Sequence, residues 1–341
     1  MNPPPAPPMV PPADHPAIPP AKIGVLLINL GTPDAPETGA VRRYLKQFLS
    51  DPRVVEIPQL LWQPILRGIV LNTRPEKSAA AYREVWSEDG SPLAAITAAQ
   101  SRALSGRWGD AVRVDWAMRY GNPSIPRAVE RMRAAGVTRL LIAPLYPQYC
   151  AATTATANDE VFLALRRMRW QPAVRTLPPY YDDPLYIDAL AASIGRQLNE
   201  AGARGDELLL ASFHGMPQRT LELGDPYHCH CRKTARLLSE RLGRDVAVAF
   251  QSRFGRAKWL EPATDAELER YARAGVKRIA LVAPGFSADC LETLEELAIR
   301  GREQFTDAGG EEFSYLRCLN ADAEGIALLE ALIARELAGW I

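Results

Sequence analysis

The sequence predicts an α/β fold: two similar doubly wound lobes, each on its own parallel sheet, facing across a cleft. Three observations carry this. Short apolar runs without alternation recur along the chain, as expected of strands buried on both faces. Helical patterns lie between them. The halves also look related: Ala135–Pro144 resembles Ala274–Pro284, and Asn29–Pro33 parallels Phe213–Pro217, in the same order.

The first twenty residues hold ten prolines and almost no apolar clustering, which predicts a disordered, polyproline-like tail over 1–21. Folding is expected to begin at Lys22, where Ile23–Leu30 reads as a buried strand. Further strands are expected near Val112–Tyr120, Arg139–Tyr146, Leu208–Phe213, Val246–Gln251, Ile279–Ala283 and Phe313–Leu319. Ser91-Pro92 can open a helix with Pro in its first turn. A helical pattern over Pro123–Ala135 ends before Gly136, and Thr264 with Glu267 has capping-box spacing. An N-terminal lobe over 22–175 and a C-terminal lobe over 176–341 follow. Ile57–Leu71 is apolar yet interrupted by two prolines, two glutamines and an arginine. Those interruptions spoil any single buried face, so an apolar lip meeting a greasy substrate or a membrane is preferred to an ordinary buried helix pair.

Composition narrows the function. The 40 basic and 40 acidic residues cancel, so no basic excess points to nucleic acid. Five cysteines make an odd count without framework spacing, which fits a reducing, intracellular compartment. The start lacks the basic and apolar parts of a signal peptide. No run is long and apolar enough to span a bilayer. A cytoplasmic protein, with peripheral membrane contact through the lip, is expected.

Two strands end in reactive side chains. Leu208–Pro217 carries His214 past a buried strand; Ile279–Glu292 carries Asp289 and Glu292 past another. Open parallel sheets place chemistry past the carboxyl ends of their strands. An imidazole and a carboxylate there can share one proton-handling site. If a helix starts after Ser287, Asp289, Glu292 and Glu296 share one face, a row of hard oxygen ligands suited to a divalent cation that is passed along. His228-Cys229-His230-Cys231 crowds four ligands into consecutive positions, too close to wrap one tetrahedral zinc, and reads as a loop with incidental ligands. Cys290 is a conceivable nucleophile served by His214, but no group to orient the histidine can be named. Neither Gly-x-Gly-x-x-Gly nor a phosphate-binding Gly-Lys-Ser/Thr loop is present.

Taken together the motifs resemble the ferrochelatases, most closely their proteobacterial branch, from about Lys22 to the C-terminus. The matching stretches are Asn29–Pro33, Gly90–Leu93, Met118–Pro123, Tyr146–Tyr149, Ser212–Pro217, Gly224–Tyr227, Gln251–Gly255 and Ser287–Leu294. The resemblance implies a chelatase-like pair of Rossmann-like lobes holding a porphyrin in the cleft. It implies insertion of Fe2+ into protoporphyrin IX, a lyase reaction ending haem biosynthesis. His214 and Glu292 become the catalytic pair: His214 as proton acceptor, Glu292 as opposing proton relay or metal donor. Tyr82, Ser91, Arg119, Tyr120 and Trp259 are implied near the porphyrin, and Asp289 and Glu296 join His214 and Glu292 along the metal path. Ile57–Leu71 becomes the mouth of the pocket beside a membrane.

Departures from the family pattern carry information too. Cys290 stands where some members have His, and Arg300 stands where animal enzymes extend the acidic row. The chain ends at Trp340-Ile341 without the iron–sulfur segment of animal enzymes, and Ala151 replaces their upstream cysteine. No cofactor beyond substrate iron is expected, although Cys229 and Cys231 leave open the internal clusters of other microbial members. No motif sets the oligomeric state. Coproporphyrin III as substrate, a non-catalytic two-lobed carrier of metal or tetrapyrrole, and a Cys290-dependent hydrolase are the competing readings.

Overall fold

The computed structural model describes residues 22–255 and 257–341; the tail expected over 1–21 lies outside the described residues. Eight strands form two four-stranded sheets. They are β1 (Lys22–Thr32), β2 (Val112–Gly121), β3 (Val137–Pro144), β4 (Ala173–Thr176), β5 (Leu208–His214), β6 (Val246–Gln251), β7 (Arg278–Val282) and β8 (Glu312–Leu316). The sheet orders are 2-1-3-4 and 6-5-7-8, and every pairing is parallel. The second order is the first shifted by four strands. The repeated segments occupy matching places, with Ala135–Pro144 leading into β3 and Ala274–Pro284 into β7.

Seven of these strands match the expected runs. The eighth, β4, was not expected: Ala-Val-Arg-Thr is short, half-exposed and at a sheet edge, so it carries little hydrophobic signal.

Helices cover both sheets: α1 (Thr38–Leu49), α2 (Gln59–Ile65), α3 (Leu71–Val85), α4 (Pro92–Trp108), α5 (Ile125–Ala134), α6 (Thr156–Arg166), α7 (Pro184–Glu200), α8 (Gln218–Glu222), α9 (Tyr227–Leu242), α10 (Thr264–Arg273), α11 (Gly301–Asp307) and α12 (Ala323–Leu337). Three π-helical stretches, 66–70, 151–155 and 292–300, interrupt or extend them. The lip is therefore one helical rod. Pro64 lacks an N–H, and the π turn at 66–70 follows it directly, joining α2 to α3. Trp62 turns inward and donates its indole N–H to the Leu49 carbonyl at 2.6 Å.

Ser91 caps α4, its Oγ accepting from the Ala94 N–H at 3.3 Å. The capping box expected at Thr264 does not form. The Thr264 hydroxyl is buried against Ser212 at 2.7 Å, and Glu267 pairs with Arg270 instead. The expected 175/176 boundary falls inside β4, before its last residue, Thr176. One continuous apolar core joins Val25, Leu27 and Leu141 of the first sheet to Leu209, Phe213 and Ala280 of the second. The C-terminal helix α12 returns to pack on α4 and β3.

Candidate active site

In each sheet the order reverses at its earliest strand, β1 or β5, so a crevice opens past that strand's carboxyl end. His214 is the last residue of β5, with β6 on one side and β7 on the other. Gly215 follows for a steric reason. Its N–H donates to the Gln251 carbonyl at 2.7 Å, and a Cβ there would lie 2.5 Å from that oxygen. The His214 Nδ1 lies 2.7 Å from the Gly215 carbonyl. A carbonyl only accepts, so Nδ1 carries the proton in the neutral ring and the Nε2 lone pair is left free.

The neighbouring strand ends deliver the acids. Gln251, closing β6, accepts from Ser212 Oγ at 2.9 Å and donates to the Glu292 carbonyl at 2.9 Å, which fixes the start of the π-helix 292–300. Ser252 has φ 65, the left-handed region that L residues rarely take. That strained turn aims its N–H and Oγ at Glu296, at 2.8 and 2.5 Å. Glu292 and Glu296 are four apart, close to one turn of an i→i+5 helix, so they share a face. Burial raises the Glu296 carboxyl above the ordinary range. The Ser252 bonds and the charge of His214 partly offset this, while Glu292 adds to it. His214, Glu292 and Glu296 thus form one electrostatic cluster. From the first lobe, Tyr44 and Tyr82 are buried near Glu292. Burial, reinforced by each neighbour's charge, pushes both phenols up, so they remain neutral beside the carboxylate.

One cavity touches this cluster at Glu296, a second lies past Met216 and Pro217 on the loop after His214, and the two share Phe254, Gly255, Ala257 and Trp259. The second, of about 600 Å³, lies between the lobes. Leu49, Val54, Ile57, Trp62 and Val70 line its first wall; Met216, Pro217, Phe254 and Trp259 line the other. Backbone bonds from Leu260 to Met216 and from Gln218 to Lys258 hold Trp259 beside the loop after His214. Arg74 and Arg219 stand at this cavity without an ion pair among the described residues. Arg74 is half-buried above the Phe254 ring, 4.7 Å from its centroid, and burial pulls its pKa down. The other cavity, of about 500 Å³, is polar and reaches Glu296, Ser252, Arg253 and Arg300.

Against known proteins, the ferrochelatase family model matches residues 22–337. The ferrochelatase of Rhizobium meliloti strain 1021 is 55% identical over 96% of this chain and 98% of that relative. The ferrochelatase of Azoarcus sp. strain BH72 is 52% identical over 94% of this chain and 89% of that relative. This chain belongs to the ferrochelatase family. Solved structures bear out its chelatase-like fold. SirB from Bacillus subtilis, solved with Fe3+, aligns at TM-score 0.55 and 12% identity over 92% of this chain and 95% of that one. DR2241 from Deinococcus radiodurans aligns at 0.53 and 16% identity over 92% of this chain and 55% of that one.

The residues that ferrochelatase motifs bring forward do not all converge. Trp259 lines the apolar cavity. Asp289 precedes the π-helix and is 3% exposed. Asn320 and Tyr315 donate to its carboxylate at 2.6 Å each, and Thr293 at 3.0 Å, so it is a saturated anchor and not a member of an open acidic row. The row failed because the helix starts at Leu291, two residues after Asp289. Arg119 and Tyr120 also point inward. Asp51 accepts from Arg119 at 2.6 Å, Tyr120 at 2.8 Å and Thr156 at 2.5 Å. Tyr120 is fully buried. Among the described residues, no three His, Cys, Asp or Glu side chains converge to hold a metal ion. His230 accepts from the Tyr149 N–H at 3.2 Å and stacks on Tyr181, while Cys231 is buried and Cys229 exposed. Burial, with Glu292 nearby, raises the Cys290 thiol, the opposite of what a nucleophilic thiolate needs. Sequence reasoning missed Ser252, Arg74 and Arg219. A positive-φ serine has no local signature, and a free arginine is visible only once the paired ones are known.

Asp51→Asn removes the nearer of the two anions beside Arg119, leaving Glu160 at 3.6 Å, and is expected to cost about 3 kcal/mol in denaturant unfolding at neutral pH. Burial alone would raise Asp51, but its hydrogen bonds and Arg119 bring it below 3.8. Its stabilisation is therefore present at neutral pH and lost as pH falls through that lowered value, where wild type and variant converge. Ser252→Ala removes a donor that holds Glu296 down. Its pKa rises further, and a rate that needs ionised Glu296 has its acidic limb moved to higher pH; an unmoved limb in kcat against pH excludes that requirement.

Proposed function

We propose that this chain inserts Fe2+ into protoporphyrin IX, with His214 accepting a pyrrole proton and Glu292 relaying protons or delivering metal from the opposite side. Iron insertion into a porphyrin is the reaction of the family, and family membership over nearly the whole chain assigns it here. Two N–H protons leave, and the iron ends bound by four ring nitrogens without net redox change, a lyase reaction. The observation that carries the residue assignment is the free Nε2 of His214 within one electrostatic cluster with Glu292 and Glu296, with Met216 and Pro217 on the following loop lining the apolar cavity between the lobes.

Each requirement of the reaction has a matching group. The free Nε2 of His214 supplies a base for a pyrrole proton. Metal delivery needs transient oxygen or nitrogen ligands, and the lack of a preformed three-ligand cluster among the described residues favours passage over storage. The apolar walls suit the vinyl and methyl edges of the ring. Arg74 and Arg219 suit two carboxylates, the number protoporphyrin carries; coproporphyrin has four. A partly buried guanidinium without an anion is poised for one. The reading requires no resident cofactor. Exposed Leu60, at 92%, with Leu61 and Ile69, supports peripheral contact with the membrane that dissolves the porphyrin. No helix among the described residues is long and apolar enough to cross a bilayer.

The decisive assay is anaerobic metallation followed by haem absorbance. Protoporphyrin is expected to react faster than coproporphyrin III. His214→Ala is expected to lower kcat about 100-fold or more while porphyrin binding, read by fluorescence quenching, changes little. A folded His214→Ala variant turning over at the wild-type rate removes the assignment. Arg74→Ala is expected to raise the KM for porphyrin about tenfold with kcat nearly unchanged. An unchanged KM excludes the carboxylate contact.

A further inference from the structure

Helix α6 presents a surface that the chemistry of the cleft does not use. It is buried through Ala157, Val161 and Leu165. On the opposite arc, at helical spacing, stand Asp159, Phe162, Leu163, Arg166 and Arg167. Phe162 is 46% exposed, Leu163 42%, and Trp170, just past the helix, 58%. Arg166, Arg167 and Arg169 are exposed and make no ion pair with any described residue. Other helices also carry exposed arginines without an ion pair among the described residues, Arg42 and Arg43 on α1 and Arg127 on α5 among them; here three fall within four positions, beside exposed Phe162, Leu163 and Trp170. In a chain of zero formal charge, three free guanidiniums within four residues form a local positive excess.

We infer that this face of α6, with Trp170, is a second docking surface for an anionic lipid bilayer, continuous with the lip. Two features favour lipid over an acidic protein. Cations are interleaved with exposed aromatic and aliphatic side chains, the composition that settles at the headgroup level: guanidiniums reach lipid phosphates while Phe, Leu and Trp enter the acyl boundary. The surface is also tied to the lip. Asp159, at the start of the same arc, pairs with Arg53 at 2.5 Å, and Arg53 lies in the segment leading into α2 with its exposed Leu60 and Leu61. This continuity rests on the membrane reading of the lip, whereas the charge excess on α6 stands without it. The lip supplies apolar depth, and α6 supplies selectivity for anionic headgroups. Two contacts also restrict how the cleft mouth is presented to the bilayer.

The test is co-sedimentation of the full chain with vesicles of phosphatidylcholine alone or mixed with phosphatidylglycerol, in low and high salt. Wild type is expected to bind the mixed vesicles more tightly, with the advantage lost in high salt. The triple variant Arg166→Glu, Arg167→Glu, Arg169→Glu is expected to lose tenfold or more of its partition onto mixed vesicles. Leu60→Ser with Leu61→Ser is expected to weaken binding to both vesicles alike. A blue shift in tryptophan emission on adding mixed vesicles is expected to shrink in Trp170→Phe. Metallation in detergent serves as the control for folding: wild type, the triple variant and Trp170→Phe are expected to match there, and a general failure of that assay would count against the catalytic reading and not against docking. Equal sedimentation of the triple variant and wild type overturns the inference. So does a wild type that ignores both vesicles yet binds polyglutamate, which would make α6 a surface for an acidic protein.

Discussion

The site depends on a strand with parallel neighbours on both sides. Because β6 and β7 flank β5, the connections leaving the sheet diverge there, and a crevice must open beyond the strand's end. His214 is the final residue of that strand. Side chains alternate faces along a strand, so a shift of one position would turn the imidazole to the other side. Gly215 then lets the chain pass against the Gln251 carbonyl, where any side chain would collide. Gln251 in turn holds the first residue of the acidic π-helix through its amide. Sheet order, one missing Cβ and one buried amide therefore bring His214, Glu292 and Glu296 together.

The buried carboxylates differ by how many donors reach them. Asp51 has an arginine, a tyrosine, a threonine and a backbone N–H, and the sum overcomes its desolvation. Asp289 has asparagine, tyrosine and threonine donors from three parts of the chain. Such groups are held in place and have little capacity left for a substrate. Glu296 receives donors from Ser252 alone, and burial prevails. A carboxyl under that tension gains most from a proton or a cation, which is the property a group on a transfer route needs.

The sequence made the sheets legible because buried parallel strands are continuous apolar runs, and the repeat between the halves foretold two similar lobes. The edge strand β4 lacked that signal. The end of β5 was legible because His214 directly follows an apolar run. Spacing misled at Asp289: an i, i+3 relation has meaning only inside a helix, and this one begins later. Arg119 and Tyr120, which the family resemblance sets near the porphyrin, both bond Asp51. Whether a charged residue faces ligand or protein depends on partners brought from distant segments, and no local pattern encodes that.

Phe254, Gly255, Ala257 and Trp259 stand between two unlike spaces. Trp259 and Phe254 contribute to the walls of both, but only the apolar one contains Met216, Trp62 and Arg74, and only the polar one contains Ser252 and Glu296. Of His214, Glu292 and Glu296, Glu296 alone lines the polar space. Arg300 and Arg253, which also line it, are already neutralised by Glu295 and Asp265. In the proposed reaction the flat, greasy ring belongs in the first space, and charged species exchange most readily through the second. A single apolar chamber would strand the released protons in low dielectric, while a single wet one would hydrate both iron and base. The strained backbone at Ser252 is then explained by its location: one residue must leave β6, turn sharply and still bond Glu296 at the boundary between the two.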